Sequence, residues 1–238
     1  MASTYTIADA LSVANRTMPR AIEADHAAYV ANIALNKIWH AYDWRVSLST
    51  LPPFWLIPLI QDYGAPFYAV PTDFYGLRQA YLVQTSSTPL PRRMELKVIK
   101  NLRKEYLRGL PRDIGYVMDT RSFRVYPQIG ENIGSTQFLI DGVYKKLAPQ
   151  VTSTTLQSTY VPFDDIYLST FIDALRWGAA QVAGSPDRAA KLQELNQSIY
   201  DMANAEGMEL GNQVVAPSEG LVGGSGEGYF PGVMSGLF

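Results

Sequence analysis

Apolar and polar positions follow two alternating periods along this chain. Thr6 stands as an N-cap, and Asp9 three residues later completes a capping-box arrangement, so a short helix over about 7–17 is expected. Pro19 then opens a second helix, from about Arg20 to Tyr42. Ala24, Ala28, Ala31, Leu35, Ile38 and Tyr42 recur by fours and threes, which puts them on one helical face. Three of the six are alanine, so another helix can come close there.

From Trp44 the period falls to two. Trp44, Val46 and Leu48 alternate with Arg45, Ser47 and Ser49, as in a half-buried strand. Pro52, Pro53, Pro58, Pro66 and Pro71 rule out a helix in the next stretch. Further strands are expected over 77–85, 94–98 and 115–119. Another over 123–126 forms a hairpin around Thr120-Arg121. Residues 138–140 and 143–147 flank Asp141-Gly142, a two-residue hairpin signal. Seven or eight short strands in this span suggest an antiparallel β-sandwich or a partly open barrel.

Residues 150–163 are polar and β-branched, a linker or an exposed strand. Helical spacing returns at Asp164 or Asp165, with Leu168, Phe171, Ile172, Leu175, Ala179 and Val182 as the apolar stripe. Gly184 is placed to end that helix. Ser185-Pro186 restarts another, whose apolar face is Leu192, Leu195, Ile199 and Met202, and Gly207 stops it. The short connection implies an antiparallel pair.

Each pair of helices has an apolar face without a partner, and packing the two pairs together covers both. The expected fold is α+β: a discontinuous antiparallel four-helix domain (1–43 and 164–207) with an inserted β domain (44–148). A linker (149–163) and an extended C-terminal arm (208–238) complete it.

The arm carries no phosphate loop. Gly224, Gly226 and Gly228 lack a strand before them and a helix after them, and Pro231-Gly232 follows instead. Nine of the 18 glycines lie at or after Gly207, yet Leu221, Tyr229, Phe230, Met234, Leu237 and Phe238 stud the same stretch. A glycine spacer with apolar anchors is the composition of a segment that orders on a partner.

Charge sharpens this picture. Residues 92–124 hold 10 basic and 4 acidic side chains, whereas no Lys or Arg follows Lys191. Lys97, Lys100, Arg103 and Lys104 form a candidate charge interface, either with a neighbouring copy or with a polyanion, the plainer alternative being a solvated face. The absence of cysteine excludes disulfides and thiol chemistry. No apolar run approaches the roughly 18 residues of a membrane span. The basic start and apolar stretch of a signal peptide are not seen.

Candidate chemistry is sparse. His26 and His40, 14 residues apart on one helix, would be separated by roughly 21 Å and cannot share a metal. No HExxH or GxSxG motif occurs. Asp164-Asp165 is the obvious carboxylate pair, but a helix cap with a first-turn acid explains it. Asp73 reads as a turn residue. No catalytic, cofactor-binding or metal-binding residue is expected.

The chain resembles the head-to-tail adaptor proteins of short-tailed bacteriophages, the tail-tubular or gatekeeper-type family. The resemblance covers most of the length. It rests on the second helix running into Tyr42-Asp43-Trp44 and on Val70-Pro71-Thr72-Asp73-Phe74 followed by Leu77 to Val83. It continues in Phe163-Asp164-Asp165 leading to Trp177 and Ala183-Gly184-Ser185, and in the late Val215-Ala216-Pro217. The glycine-rich end and the Thr/Ser-rich linker depart from the family pattern.

The resemblance implies a virion protein made in the host bacterial cytoplasm, forming a ring, usually of twelve copies, at the head–tail junction. The helical domain and the arm would meet the portal, and the β domain would point to the tail nozzle or to tail fibre or spike proteins. The genome would pass through the central channel, leaving transient contact with DNA open. Two other classes stay open: a carboxylate-based tail glycan hydrolase and a monomeric β-sandwich binding module.

Overall fold

A computed structural model describes residues 3–18, 21–85, 92–130 and 137–206. Helix α1 (Ile7–Thr17) starts where the pattern places it. The Asp9 N–H donates to Thr6 Oγ1 at 3.1 Å and the Thr6 N–H to Asp9 Oδ2 at 2.9 Å, a complete capping box. The Thr6 hydroxyl bond holds the Asp9 carboxyl below its ordinary range.

Helix α2 (Ala24–Ala41) begins later than expected. The Asn15 side chain accepts the Ile22 N–H at 2.8 Å and commits that residue to the inter-helix loop. Ala24 is consequently exposed. The buried face is Val30, Ala31, Ala34, Leu35, Ile38 and Trp39.

Helix α3 (Leu168–Val182) follows a single 3₁₀ turn, Asp165–Tyr167. Gly184 adopts φ 61°, and the Ser185 and Gly184 N–H groups donate to the Ala180 and Gln181 carbonyls at 2.9 and 3.3 Å. These are the two bonds of a Schellman stop. Helix α4 (Arg188–Ala205) starts two residues beyond Pro186, after a turn in which the Arg188 N–H donates to the Ser185 carbonyl at 3.2 Å. A Cβ placed on Gly178 of α3 would sit 3.2 Å from the Val30 carbonyl oxygen, so α2 and α3 approach closely at that glycine.

Ile7, Leu11, Leu35, Ile38, Phe171, Leu175, Leu195 and Ile199 belong to one buried apolar cluster to which all four helices contribute. The 150–163 stretch joins it too, which corrects its reading as a linker or exposed strand. Val151, Leu156, Val161 and Phe163 are buried there. Asn32 exchanges two hydrogen bonds with the Val151 backbone, at 2.8 and 2.9 Å, and Ile7 N–H donates to the Thr159 carbonyl. Irregular spacing of these apolar residues hides the burial from any periodic reading.

Seven strands form one sheet: β1 (Leu48–Trp55), β2 (Asp62–Tyr63), β3 (Phe74–Thr85), β4 (Arg92–Val98), β5 (Asp113–Val117), β6 (Ser122–Tyr126) and β7 (Gln137–Lys146). Their order is β1-β7-β3-β4-β5-β6-β2, with every pair antiparallel except β4–β5. The β5–β6 hairpin turns at Thr120-Arg121 as expected, with Arg121 at φ 46°. The sheet curls. Phe54 on one edge strand lies 5.2 Å from Tyr63 on the other and 5.8 Å from Phe123 on β6, ring to ring. Of the two expected β architectures the partly open barrel is the one found, a half-barrel with an aromatic interior rather than the two facing layers of a sandwich. Tyr63 is buried in that interior, where desolvation pushes its phenol up to about 12.

Two strand expectations are corrected, and two of the prolines that rule out a helix are found in a strand. Trp44 to Ser47 is not extended: the Ser47 N–H and hydroxyl both reach the Trp44 carbonyl, closing a 3₁₀ turn that buries Ser47 and exposes Val46. Pro52 and Pro53 lie within β1, at a bulge between Leu51 and Phe54 on a sheet edge, where missing N–H groups break no ladder. Asp141-Gly142 is no hairpin. Strand β7 runs through it between β1 and β3, and a Cβ on Gly142 would meet the Gln79 carbonyl oxygen and lie 3.1 Å from Ala80 Cα. Here glycine serves close backbone approach rather than a turn.

The end of α2 is fastened to the sheet by a buried lysine. Lys145 on β7, 1% exposed, donates from Nζ to the Tyr42 carbonyl at 2.6 Å and to Asp43 Oδ1 at 3.1 Å. Arg78 on β3 holds the other Asp43 oxygen at 2.7 Å. Trp39 Nε1 donates to the Lys146 carbonyl at 2.8 Å. Desolvation lowers the Lys145 ammonium, and Asp43 opposes the shift.

Candidate functional site

The four basic residues expected at an interface are all exposed. Lys97 lies on β4, and its N–H donates to the Arg112 carbonyl at 2.8 Å. Lys100, Arg103 and Lys104 lie on the connection between β4 and β5. That connection has little regular structure but is anchored along its length. Gln61 Nε2 donates to the Glu105 carbonyl at 2.9 Å and Arg124 Nη1 to the Leu102 carbonyl at 3.2 Å. Gln128 N–H donates to the Leu107 carbonyl, and Gly109 N–H returns a bond to the Gln128 carbonyl. Lys104 approaches Asp62 at 3.6 Å, and its ammonium lies 5.9 Å from the Tyr106 ring centre.

Not every basic residue of the 92–124 stretch faces outward. Arg124 grips both Asp62 oxygens at 2.6 and 3.0 Å, and this bond raises the guanidinium further. Arg93 stays on the surface, where it pairs with Asp141 at 3.2 Å and covers the Tyr81 ring at 3.8 Å. The surface cations concentrate instead on the β4–β5 connection. Tyr106, Leu107 and Leu110 stand beside them, 76%, 56% and 49% exposed. These three follow neither hydrophobic period and so give no periodic signal. Their signal was a run of large apolar residues between Lys104 and Arg112 in a stretch without strand alternation.

The arm residues Leu221, Tyr229, Phe230, Met234, Leu237 and Phe238 lie outside the described residues, as do Pro19, Arg20 and Gly207. The chain leaves α4 at Glu206. Burial pushes that carboxyl up, and Arg45, in the turn before β1, pulls it back.

The carboxylates singled out for chemistry are engaged in structure. Asp165 opens the 3₁₀ turn ahead of α3 rather than that helix's first turn, and its oxygens accept from the Ser3 hydroxyl at 2.6 Å, the Thr4 N–H at 2.9 Å and the Thr4 hydroxyl at 2.7 Å. These bonds hold its carboxyl below the ordinary range. Asp73 sits in a turn and accepts the Tyr144 phenol at 2.8 Å.

His26 is exposed beside Glu23 at 3.5 Å. His40 stacks on Tyr75, ring centres 4.4 Å apart, and burial together with Lys145 and Arg78 lowers its pKa. A groove of about 380 Å³ between the start of α2 and the end of α3 has an apolar floor that includes Ile22, Val30 and Ala179. Arg176 on its rim is held by Thr17 and Asp173, each at 2.8 Å. Among the described residues, no group of three or more His, Asp or Glu is arranged to hold a metal ion, and no helix is long and apolar enough to cross a membrane.

The site assembled by these contacts is thus an ordered, cationic and partly apolar surface on the β4–β5 connection. No protein-family model matches the chain, and no curated protein matches it.

Proposed function

We propose that the chain is a structural subunit rather than an enzyme: a phage head-to-tail adaptor whose copies form a ring joining the portal to the tail around the genome passage. The observation that carries this reading is the order of elements around two cores. Helices from both ends of the chain contribute to one apolar cluster, and the strands between them build a second. In this reading the helices form a discontinuous four-helix domain with the β domain inserted. Each copy in a ring presents two different complementary faces. Lys97, Lys100, Arg103 and Lys104 supply a cationic one, and the acidic, lysine-free C-terminal part supplies the other. The 208–238 arm, with its aromatic end, reaches the portal.

Light scattering on the purified chain, alone and mixed with portal rings, tests the proposal. A ring, or a monomer that assembles only on the portal, is the expected result. A monomer that never binds a portal overturns it. Truncation after Pro217 is expected to leave the fold intact and abolish attachment.

A further inference from the structure

We propose that the ordered β4–β5 connection is the docking surface for the chain's own C-terminal residues 207–238. This inference does not depend on the adaptor reading. The surface joins two chemistries that seldom share one exposed loop. Lys100, Arg103 and Arg108 give positive charge, and Tyr106, Leu107 and Leu110 expose large apolar groups. Backbone anchors from Gln61, Arg124 and Gln128 fix the loop before anything binds, so the loop itself adds little ordering entropy to the cost of docking.

Residues 207–238 have the complementary composition. They carry Glu209, Glu219 and Glu227, no Lys or Arg, and apolar side chains ending in Leu237-Phe238. A polyanion such as nucleic acid would satisfy the cations but leave both leucines in water. The C-terminal segment answers the charge and the apolar area together.

Reach and concentration favour the same copy. Thirty-two residues follow Glu206 (238 − 206), a contour of roughly 100 Å. A folded body of about 200 residues has a radius of gyration of only about 17 Å. The exit lies beside Arg45, just before β1, and the contour length covers the width of the sheet between β1 and the loop. A tethered segment meets its site at an effective concentration of about a millimolar, which a second copy at micromolar levels cannot match. Docked in this way, the aromatic end is kept from other surfaces until a stronger partner displaces it.

The test uses the full chain with a photoreactive benzoylphenylalanine at position 230 and mass-spectrometric mapping of the cross-links. Cross-links concentrated on 99–112, with a yield unchanged over about a hundredfold range of protein concentration, are expected. Two exposed-surface variants, Tyr106→Ser/Leu107→Ser/Leu110→Ser and Lys100→Glu/Arg103→Glu/Arg108→Glu, should each lower that yield by about fivefold or more while circular dichroism stays unchanged. Cross-links that rise with concentration would identify a second copy as the occupant and overturn the proposal. Cross-links elsewhere, or a loop that binds a thymidine oligonucleotide while position 230 cross-links nothing on it, would overturn it as well.

Discussion

Lys145 permits a test that separates charge from volume. Its ammonium is buried between the sheet and the end of α2, but its partner Asp43 is not left alone without it, because Arg78 holds the other oxygen at 2.7 Å and that carboxylate is 43% exposed. Lys145→Met keeps most of the stem and removes the desolvated charge. The loss is the bond to the Tyr42 carbonyl, partly offset by relief of ion burial, a net cost of about 1 kcal/mol. Lys145→Ala also deletes the apolar stem, three methylenes at about 0.8 kcal/mol each, and leaves a cavity, for a total of about 3–4 kcal/mol. At about 2–4 °C per kcal/mol for a chain of this size, melting temperatures should fall by about 3 °C and about 10 °C respectively.

Urea unfolding followed by tryptophan fluorescence measures both variants. The pH dependence adds a check. The folded pKa is depressed, so the unfolded chain binds more protons between that value and 10.5, and the burial cost of Lys145 fades as pH rises through this window. Any advantage of Lys145→Met from shedding the charge should fade at high pH. Equal destabilisation by Met and Ala would refute the reasoning, because the ion rather than the packed stem would then hold the junction.

Gly142→Ala is expected to cost about 3 kcal/mol or more, since its Cβ meets the backbone of Gln79 and Ala80 and neither can retreat without breaking the β3–β7 ladder; a loss below about 1 kcal/mol in urea would contradict the close approach. His40, with its pKa lowered by burial, Lys145 and Arg78, protonates in the unfolded chain first. Stability should therefore drop as pH falls from 6.5 toward the folded value, and His40→Gln should flatten that slope in unfolding curves taken between pH 5 and 7. Asp165 titrates below its ordinary 3.8 in the folded chain, so its contribution is present above that value and lost beneath it. Asp165→Asn should lower the melting temperature at neutral pH, and the gap to wild type should narrow as pH falls below 3.8.

Local signals were legible wherever one residue decides the geometry. Thr6 with Asp9 and Gly184 with its two following bonds marked the end of a helix as the structure has it. Where tertiary contact decides, the sequence was silent or misleading. Asp141-Gly142 has turn chemistry, but the same glycine also lets two neighbouring strands approach, and the 12-residue β3 alongside settles which use prevails. Asn15 delays α2 through a bond that no helix propensity encodes. Half of the candidate surface, the four cations, could be read from charge alone. The exposed Tyr106, Leu107 and Leu110 could not, because an apolar residue announces burial unless its neighbours are seen to leave it outside.

The two ends of the curled sheet differ in kind from its middle. One is β1, whose consecutive prolines sit at a bulge, and the other is β2, only two residues long. An open ladder recruits stray chains and seeds fibrils, and both ends are poor templates for that. Copies of this protein held at high local density therefore find, at the ends of this sheet, little purchase for adding strand to strand.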